Sequence, residues 1–272
     1  MPRHEEASAA GGGAAGGKAE PGGVKSAWRT VRLLEEFASK DAWLSLSDLH
    51  AGTGFPRSSL HGLLRTLLDA GWLEQDSGST RYRLGIRALK CGTAYLDRDA
   101  VVPHATEVLE QIRERTGFTA HFARRNGDEV VYLETREAQR STHLVSRVGR
   151  SLPVHATALG KALLAELTRD EVDALLPEKL PALTPHTLTS RDALHAACAQ
   201  VRDLGYAAEN EEGTPGIRCV AAVIPYRIPG TDAMSCSMPV GRAGDEEARK
   251  VGDVLVEATA ELARRLRREG IR

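Results

Sequence analysis

The four cysteines of this 272-residue chain, Cys91, Cys198, Cys219 and Cys236, stand far apart and form no CxxC pair. That spacing argues against a zinc ribbon or a disulfide framework and fits a reducing compartment. Long apolar runs are missing too: none approaches the roughly 20 residues that a membrane-spanning helix needs. The first residues lack the charged-then-apolar layout of a secretory signal. A cytoplasmic protein without membrane contact is therefore expected. Bulk charge is nearly absent, at −1 overall, so any attraction to nucleic acid has to be local. One such place exists. From Lys25 to Lys90 there are 10 Lys/Arg against 7 Asp/Glu, and between Gly54 and Leu68 the only charges are Arg57 and Arg65.

The hydrophobic share of 42% and charged share of 27% fit a globular chain, long enough for a small and an ordinary domain. Residues Met1 to Gly23, mostly Gly, Ala and isolated charges, have almost nothing to bury and are expected to be a disordered tail. Beyond it, Trp28, Val31, Leu34 and Phe37 recur at helical spacing. All three tryptophans (Trp28, Trp43, Trp72) fall in this N-terminal part, where a small domain needs large side chains to fill its core.

Ser47 is the expected N-cap of a short helix, Asp48 to Ala51, closed by Gly52 and Gly54. Pro56 suits the first position of the next helix, whose buried stripe is Leu60, Leu63, Leu64, Leu67 and Leu68. Its other face carries Arg57, Ser58, Ser59, His61, Gly62, Arg65 and Thr66. Two short strands follow, Trp72-Leu73-Glu74 and Arg81-Tyr82-Arg83-Leu84, around a Ser77-Gly78-Ser79 turn. Two helices across a tight turn, then a two-stranded wing, are the parts of a winged helix-turn-helix. In such a unit the second helix enters the major groove.

Arg57 suits guanine or a phosphate, Ser58, Ser59 and His61 are short enough to approach base edges, and Arg65 and Thr66 lie farther along. Ser79, Thr80 and Arg81 of the wing could touch the minor groove or phosphates. The competing reading, a helical hairpin with a solvated basic face, is disfavoured by the wing and by the missing acids. Gly62 stands out, because glycine inside a helix costs roughly 1 kcal/mol against alanine. It suggests a position where something approaches the backbone closely.

Farther on, Ile86, Leu89, Thr93 and Leu96 form a sparse stripe, a linker helix with room for a partner helix. A helix from Pro103 should stop at Gly117, and Asn126-Gly127 signals a hairpin. Thr168 to Glu171 reads as a capping box and a helix should run from about Ser190 to Leu204. Two strands, Cys219 to Pro225 and Met234 to Val240, precede a final helix with Val251, Val254, Leu255, Ala258 and Leu262 inward. The class is α+β.

FPRSSLHGLLRTLLDAGWLEQD with RYRLG, GRSLPVHATALGKALLA (Gly149–Ala165), LGYAAENEEGTPGIRCVAAVIP (Leu204–Pro225) and AMSCSMPVG (Ala233–Gly241) occur in this order. Together they resemble the IclR-type bacterial transcriptional regulators, from about Val24 to the C-terminus. The resemblance implies a winged helix-turn-helix domain over 24–86, a linker helix over 87–102 and a GAF-like effector-binding domain over 103–272. It implies a regulator, with repression the expected sense, that binds an imperfect palindromic operator in double-stranded DNA as a homodimer or a dimer of dimers. Operator affinity would answer to a small organic metabolite, with no cofactor and no metal.

Carried over by motif, the effector pocket comprises Leu144, Ala158, Leu159, Glu209, Cys219, Ser235 and Ser237. Ala158 and Leu159 fall near a helix start, where free N–H groups favour a carboxylate. Ser235 and Ser237 share one strand face, away from Met234, Cys236 and Met238. Relatives usually have Asp where this chain has Glu209, whose charge would repel an anion unless it is protonated or meets a hydroxyl. A hydroxylated or amine-bearing ligand is therefore preferred over a bare small acid. Three alternatives stay open. His121, His143, His155, Cys219 and Cys236 could assemble around a metal, although no i,i+4 His pair supports it. Cys219 with His155 could form a thiol enzyme's nucleophile and base, or the chain could be an interaction module that binds no DNA.

Overall fold

The computed structural model describes residues 23–40, 42–138 and 148–272. Leu144 and His143, with most of the expected N-terminal tail, lie outside the described residues. The chain divides into two compact units between Tyr95 and Leu96.

The first unit contains α1 (Lys25–Ala38), β1 (Leu44–Ser45), α2 (Leu46–Thr53), α3 (Arg57–Asp69), β2 (Leu73–Gln75) and β3 (Arg81–Leu84). The strands form an antiparallel sheet in the order β1-β3-β2, with Leu73 opposite Leu84 and Leu44 opposite Tyr82. β1 adds a third strand to the wing that sequence spacing does not reveal. Leu33, Phe37, Leu49, Phe55, Leu60, Leu64, Leu67 and Leu73 make the core, each large side chain contributing about 1.5–3 kcal/mol on burial.

Three expectations need correction here. The tryptophans sit at the rim of this core: Trp28 and Trp72 are only partly buried, and Trp43 carries the Arg83 guanidinium over its ring. In α1 the buried residues are Leu33 and Phe37, while Val31 is 53% exposed. Ser47 is also not the cap of α2. Ser45 is, in a reciprocal capping box: its hydroxyl accepts from Asp48 N, and the Asp48 carboxylate accepts from Ser45 N at 2.8 Å. Gly52 accordingly lies inside α2, and Gly54 terminates it in the left-handed conformation.

A further helix, α4 (Ile86–Arg98), spans the division and buries none of its residues. The second unit continues with α5 (Val102–Thr116), β4 (Thr119–Asn126), β5 (Glu129–Arg136), β6 (Ser151–Pro153), α6 (Ala158–Leu164), α7 (Arg169–Leu175) and α8 (Arg191–Leu204). It closes with β7 (Ala207–Asn210), β8 (Ile217–Val223), β9 (Asp232–Pro239) and α9 (Asp245–Arg268). The Thr168 capping box and the helix stop at Gly117 are present as read from the sequence; Ser190 caps α8 and Gly205 ends it in the left-handed conformation.

The six strands pair antiparallel in the order β6-β5-β4-β9-β8-β7. Helices cover both faces of this sheet, and strand alternation sorts the residues between them. Phe122, Val220, Met234, Cys236 and Met238 pack with α5 and α9. Ala123, Tyr132, Ala207, Ala221 and Ala233 pack with α6, α7 and α8. The fold is α+β, as expected. Small residues on the second face leave room above the centre of the sheet.

Candidate DNA interface and ligand cavity

On α3 the buried leucines occupy one side, and the opposite side is free for a partner. Arg57, Ser58, His61, Arg65 and Thr66 are exposed there, and Ser59 is half-buried. At 100° per residue Arg57, His61 and Arg65 form one column, and Ser58, Gly62 and Thr66 the next. Arg57 Nη2 donates to Ser47 Oγ at 3.4 Å, and Arg65 Nε lies 4.0 Å from Asp69, a pair too exposed to hold it. Ser59 is engaged from outside the helix: Arg29 Nη1 donates to its Oγ at 3.2 Å, and the same guanidinium lies over the Phe55 ring. Sequence reasoning missed Arg29 because it belongs to α1. In the wing, Asp76 accepts from Ser79 Oγ at 2.6 Å and fixes the turn before Thr80 and Arg81, both exposed.

In the second unit a cavity of about 260 Å³ opens between the sheet and the start of α6. Ala158, Leu159, Glu209, Cys219, Ser235 and Ser237 all line it. His121, Tyr132, Arg150, Thr157 and Thr214 line it as well and were not anticipated. The β4–β9 register puts His121 opposite Ser235, a pairing between positions more than a hundred residues apart. Nothing local in the sequence signals it.

The floor of the cavity is one hydrogen-bonded row. His121 Nδ1 bonds Thr135 Oγ1 at 3.1 Å, and His121 Nε2 bonds Ser237 Oγ at 3.1 Å. Ser237 Oγ meets Cys219 Sγ at 3.3 Å, and Cys219 bonds the Glu209 carboxyl. Burial pushes the His121 pKa down to about 4, so the ring is neutral near pH 7. Burial also raises the Glu209 carboxyl, partly offset by its bonds from Cys219 and from Glu212 N at 2.8 Å. The Cys219 thiol is pushed well above its ordinary range by burial and by Glu209 beside it.

Behind this row Lys161 Nζ meets Glu212 Oε1 at 2.7 Å, an ion pair almost closed to solvent. The β7–β8 connection that supplies Glu212 holds Glu211 at φ 59, a left-handed conformation unusual for this residue type. Glu211 N donates to Ile217 O, and its carboxylate accepts from Gly216 N, each at 2.8 Å.

The short α6, seven residues long, has its N-cap filled by Thr157, whose hydroxyl accepts from Gly160 N. His155 turns its Nε2 to the Pro181 carbonyl at 2.9 Å. That bond ties the loop before α6 to the segment around Pro181. Among the described residues no three His, Cys, Asp or Glu side chains gather as metal ligands. Among them also, no helix is long and apolar enough to cross a membrane.

Comparison with known proteins covers both units. The family model "Bacterial transcriptional regulator IclR C-terminal" matches residues 93–264, and "IclR helix-turn-helix domain" matches residues 26–77. Over 245 residues the chain is 36% identical to the HTH-type transcriptional regulator XynR of Escherichia coli (strain K12), covering 89% of this chain and 97% of that one. It is 30% identical over 246 residues to the Transcriptional repressor IclR of the same organism, covering 89% of each. The crystal structure of an IclR homolog complexed with 4-hydroxybenzoate, from Microbacterium hydrocarbonoxydans, matches with a TM-score of 0.71 at 27% identity, covering 89% of this chain and 99% of that one.

Proposed function

The chain belongs to the IclR family of transcriptional regulators, with a helix-turn-helix DNA-binding domain and a ligand-binding C-terminal domain, and from this we propose a cytoplasmic repressor released by a small hydroxylated metabolite. Its operator face is Arg57, Ser58, Ser59, His61, Arg65 and Thr66 on α3, with Thr80 and Arg81 on the wing. Repression follows the sense of the relative named a repressor.

The observation that carries the ligand reading is the convergence of Glu209, Cys219, Ser235 and Ser237 on one cavity with His121 and Arg150. Because burial raises the Glu209 carboxyl, its best partner is a ligand hydroxyl or amine. Arg150 suits an acidic group at the other end of the same molecule. The 4-hydroxybenzoate of the Microbacterium hydrocarbonoxydans homologue combines these two kinds of group. A neutral His121 and a protonated Cys219 provide hydrogen bonds without adding charge. Burial and Glu209 raise the Cys219 thiol, which favours a hydrogen-bonding role for it over a nucleophilic one.

The assembly we propose is a homodimer, or a dimer of dimers, on an imperfect palindrome. Support comes from α4, where Ile86 is 62%, Leu89 61% and Tyr95 53% exposed on a helix with no buried residue. Ligand occupancy then alters operator affinity through α4, provided the ligand binds the two arrangements unequally. Selection of duplexes from a random library by the full chain tests the DNA half. Recovery of a two-fold symmetric site supports it; recovery of no preferred sequence contradicts it.

A further inference from the structure

Tyr132 of β5 lines the cavity and is only 8% exposed. It pairs with Ala123 across the sheet, and its ring meets His121 edge-on, with centroids 5.3 Å apart and planes at 89°. Phenylalanine would fill this place as well, so the ring does not account for the hydroxyl. A buried phenol ordinarily finds a hydrogen-bond partner. Among the described residues the Tyr132 hydroxyl takes part in no hydrogen bond.

The acceptors along the cavity floor are already engaged. Ser237 Oγ is shared between His121 Nε2 and Cys219 Sγ, and the Glu209 carboxyl takes Cys219 and Glu212 N. Burial, with Cys219 and Glu209 nearby, raises the Tyr132 pKa, so the phenol keeps its proton and stands as an unused donor. What it lacks is an acceptor that enters the cavity.

Its neighbours favour an anionic one. Tyr132 N donates to Arg150 O at 3.0 Å, and Tyr132 O accepts from Gly149 N at 2.8 Å. The segment that brings Arg150 to the cavity wall is thus hung on this residue. The Arg150 charge acts on the Tyr132 oxygen in the sense that favours a negative group.

We propose that Tyr132 is a specificity-determining residue of the cavity, its hydroxyl donating to a carboxylate oxygen of the ligand and so selecting acids over their neutral analogues. The proposal rests on the reading of this cavity as the ligand site.

Its test is calorimetric titration of the full chain with two probes, 4-hydroxybenzoate and 4-cresol, which carries a methyl group where the acid has its carboxylate. Wild type should bind the acid the more tightly. Tyr132→Phe should weaken the acid by about tenfold or more, as expected for a lost hydrogen bond to a charged group. It should leave the cresol within about twofold. The ligand-free melting temperature should stay as in wild type, because the hydroxyl has no bond within the protein to lose.

Unchanged affinity for the acid in Tyr132→Phe overturns the proposal. So does an equal loss for both probes, or a lowered melting temperature, either of which would give the hydroxyl a role in the wall itself. Ser235→Ala separates the two levels: if it too binds the acid as wild type does, the probe sits elsewhere and the cavity reading fails with Tyr132. If Ser235→Ala alone weakens the acid, only the Tyr132 assignment fails. A wild type that binds neither probe contradicts both.

Discussion

His121 Nε2 and Ser237 Oγ stand 3.1 Å apart across the β4–β9 pair, joining a buried imidazole to the strand that carries both cavity serines. The ring is neutral because burial lowers its pKa from 6.5 to about 4. A depressed folded-state pKa stabilises the fold fully above the unfolded value and loses that contribution as pH falls through the folded one. Protonation of His121 is therefore expected to cost up to about 3 kcal/mol between roughly pH 6.5 and pH 4. Glu209, whose carboxyl is raised, acts with the opposite sign. The difference between wild type and His121→Gln isolates the histidine. Denaturation midpoints should converge as pH falls, and parallel curves would refute the assignment.

The capping box gives a second prediction. Ser45→Ala removes the hydroxyl that accepts from Asp48 N and should lower stability of the N-terminal unit by about 1 kcal/mol. Ser47→Ala, at the second residue of α2, should change it by less than about 0.5 kcal/mol. Urea denaturation followed by tryptophan fluorescence reads this unit, since all three tryptophans belong to it. Equal losses in the two variants would contradict the Ser45 cap.

Lys161 and Glu212 form an ion pair with side chains only 3% and 12% exposed. Removing one partner strands the other, a loss of about 3–5 kcal/mol in such pairs. Lys161→Met should therefore be strongly destabilised, and Lys161→Met with Glu212→Gln should recover much of the loss. A single variant as stable as wild type would show that the pair is not closed to solvent.

For the operator face, Arg57→Ala and Arg65→Ala should each weaken DNA binding, by about 1–3 kcal/mol where the residue reads a base. Where it holds a phosphate, the effect should instead be a salt slope smaller by about 0.9. Fluorescence anisotropy at several salt concentrations distinguishes the two. Unchanged binding by both variants removes α3 from the interface.

What was legible in the sequence was what is local. Thr168 and Ser190 announce their helices because the bonds of a cap span only three residues, and Gly117 and Gly205 end theirs for the same reason. The alternation around Ser235 and Ser237 likewise gave their common face, and both line the cavity with Ala158, Leu159, Glu209 and Cys219. Non-local choices were not legible. In α1 the rows through Val31 and through Leu33 are both helical in period, and contact with α2 and α3 decides between them. Ser47 and Ser45 are both competent caps, and the reach of Asp48 selects Ser45. His121 and Arg29 enter their sites through a strand register and a helix crossing, which spacing along the chain does not encode.

The central claim is that occupancy of the sheet-face cavity sets operator affinity. The most direct measurement titrates small hydroxylated acids and amines onto the complex of the full chain with its selected duplex, followed by anisotropy. At least one compound should shift the operator Kd by about tenfold, a coupling of about 1.4 kcal/mol. That shift should vanish in the Ser235→Ala, Ser237→Ala double variant while its ligand-free DNA affinity stays as in wild type. A compound whose binding is lost in the double variant, yet which leaves operator affinity unchanged in wild type, would contradict the account.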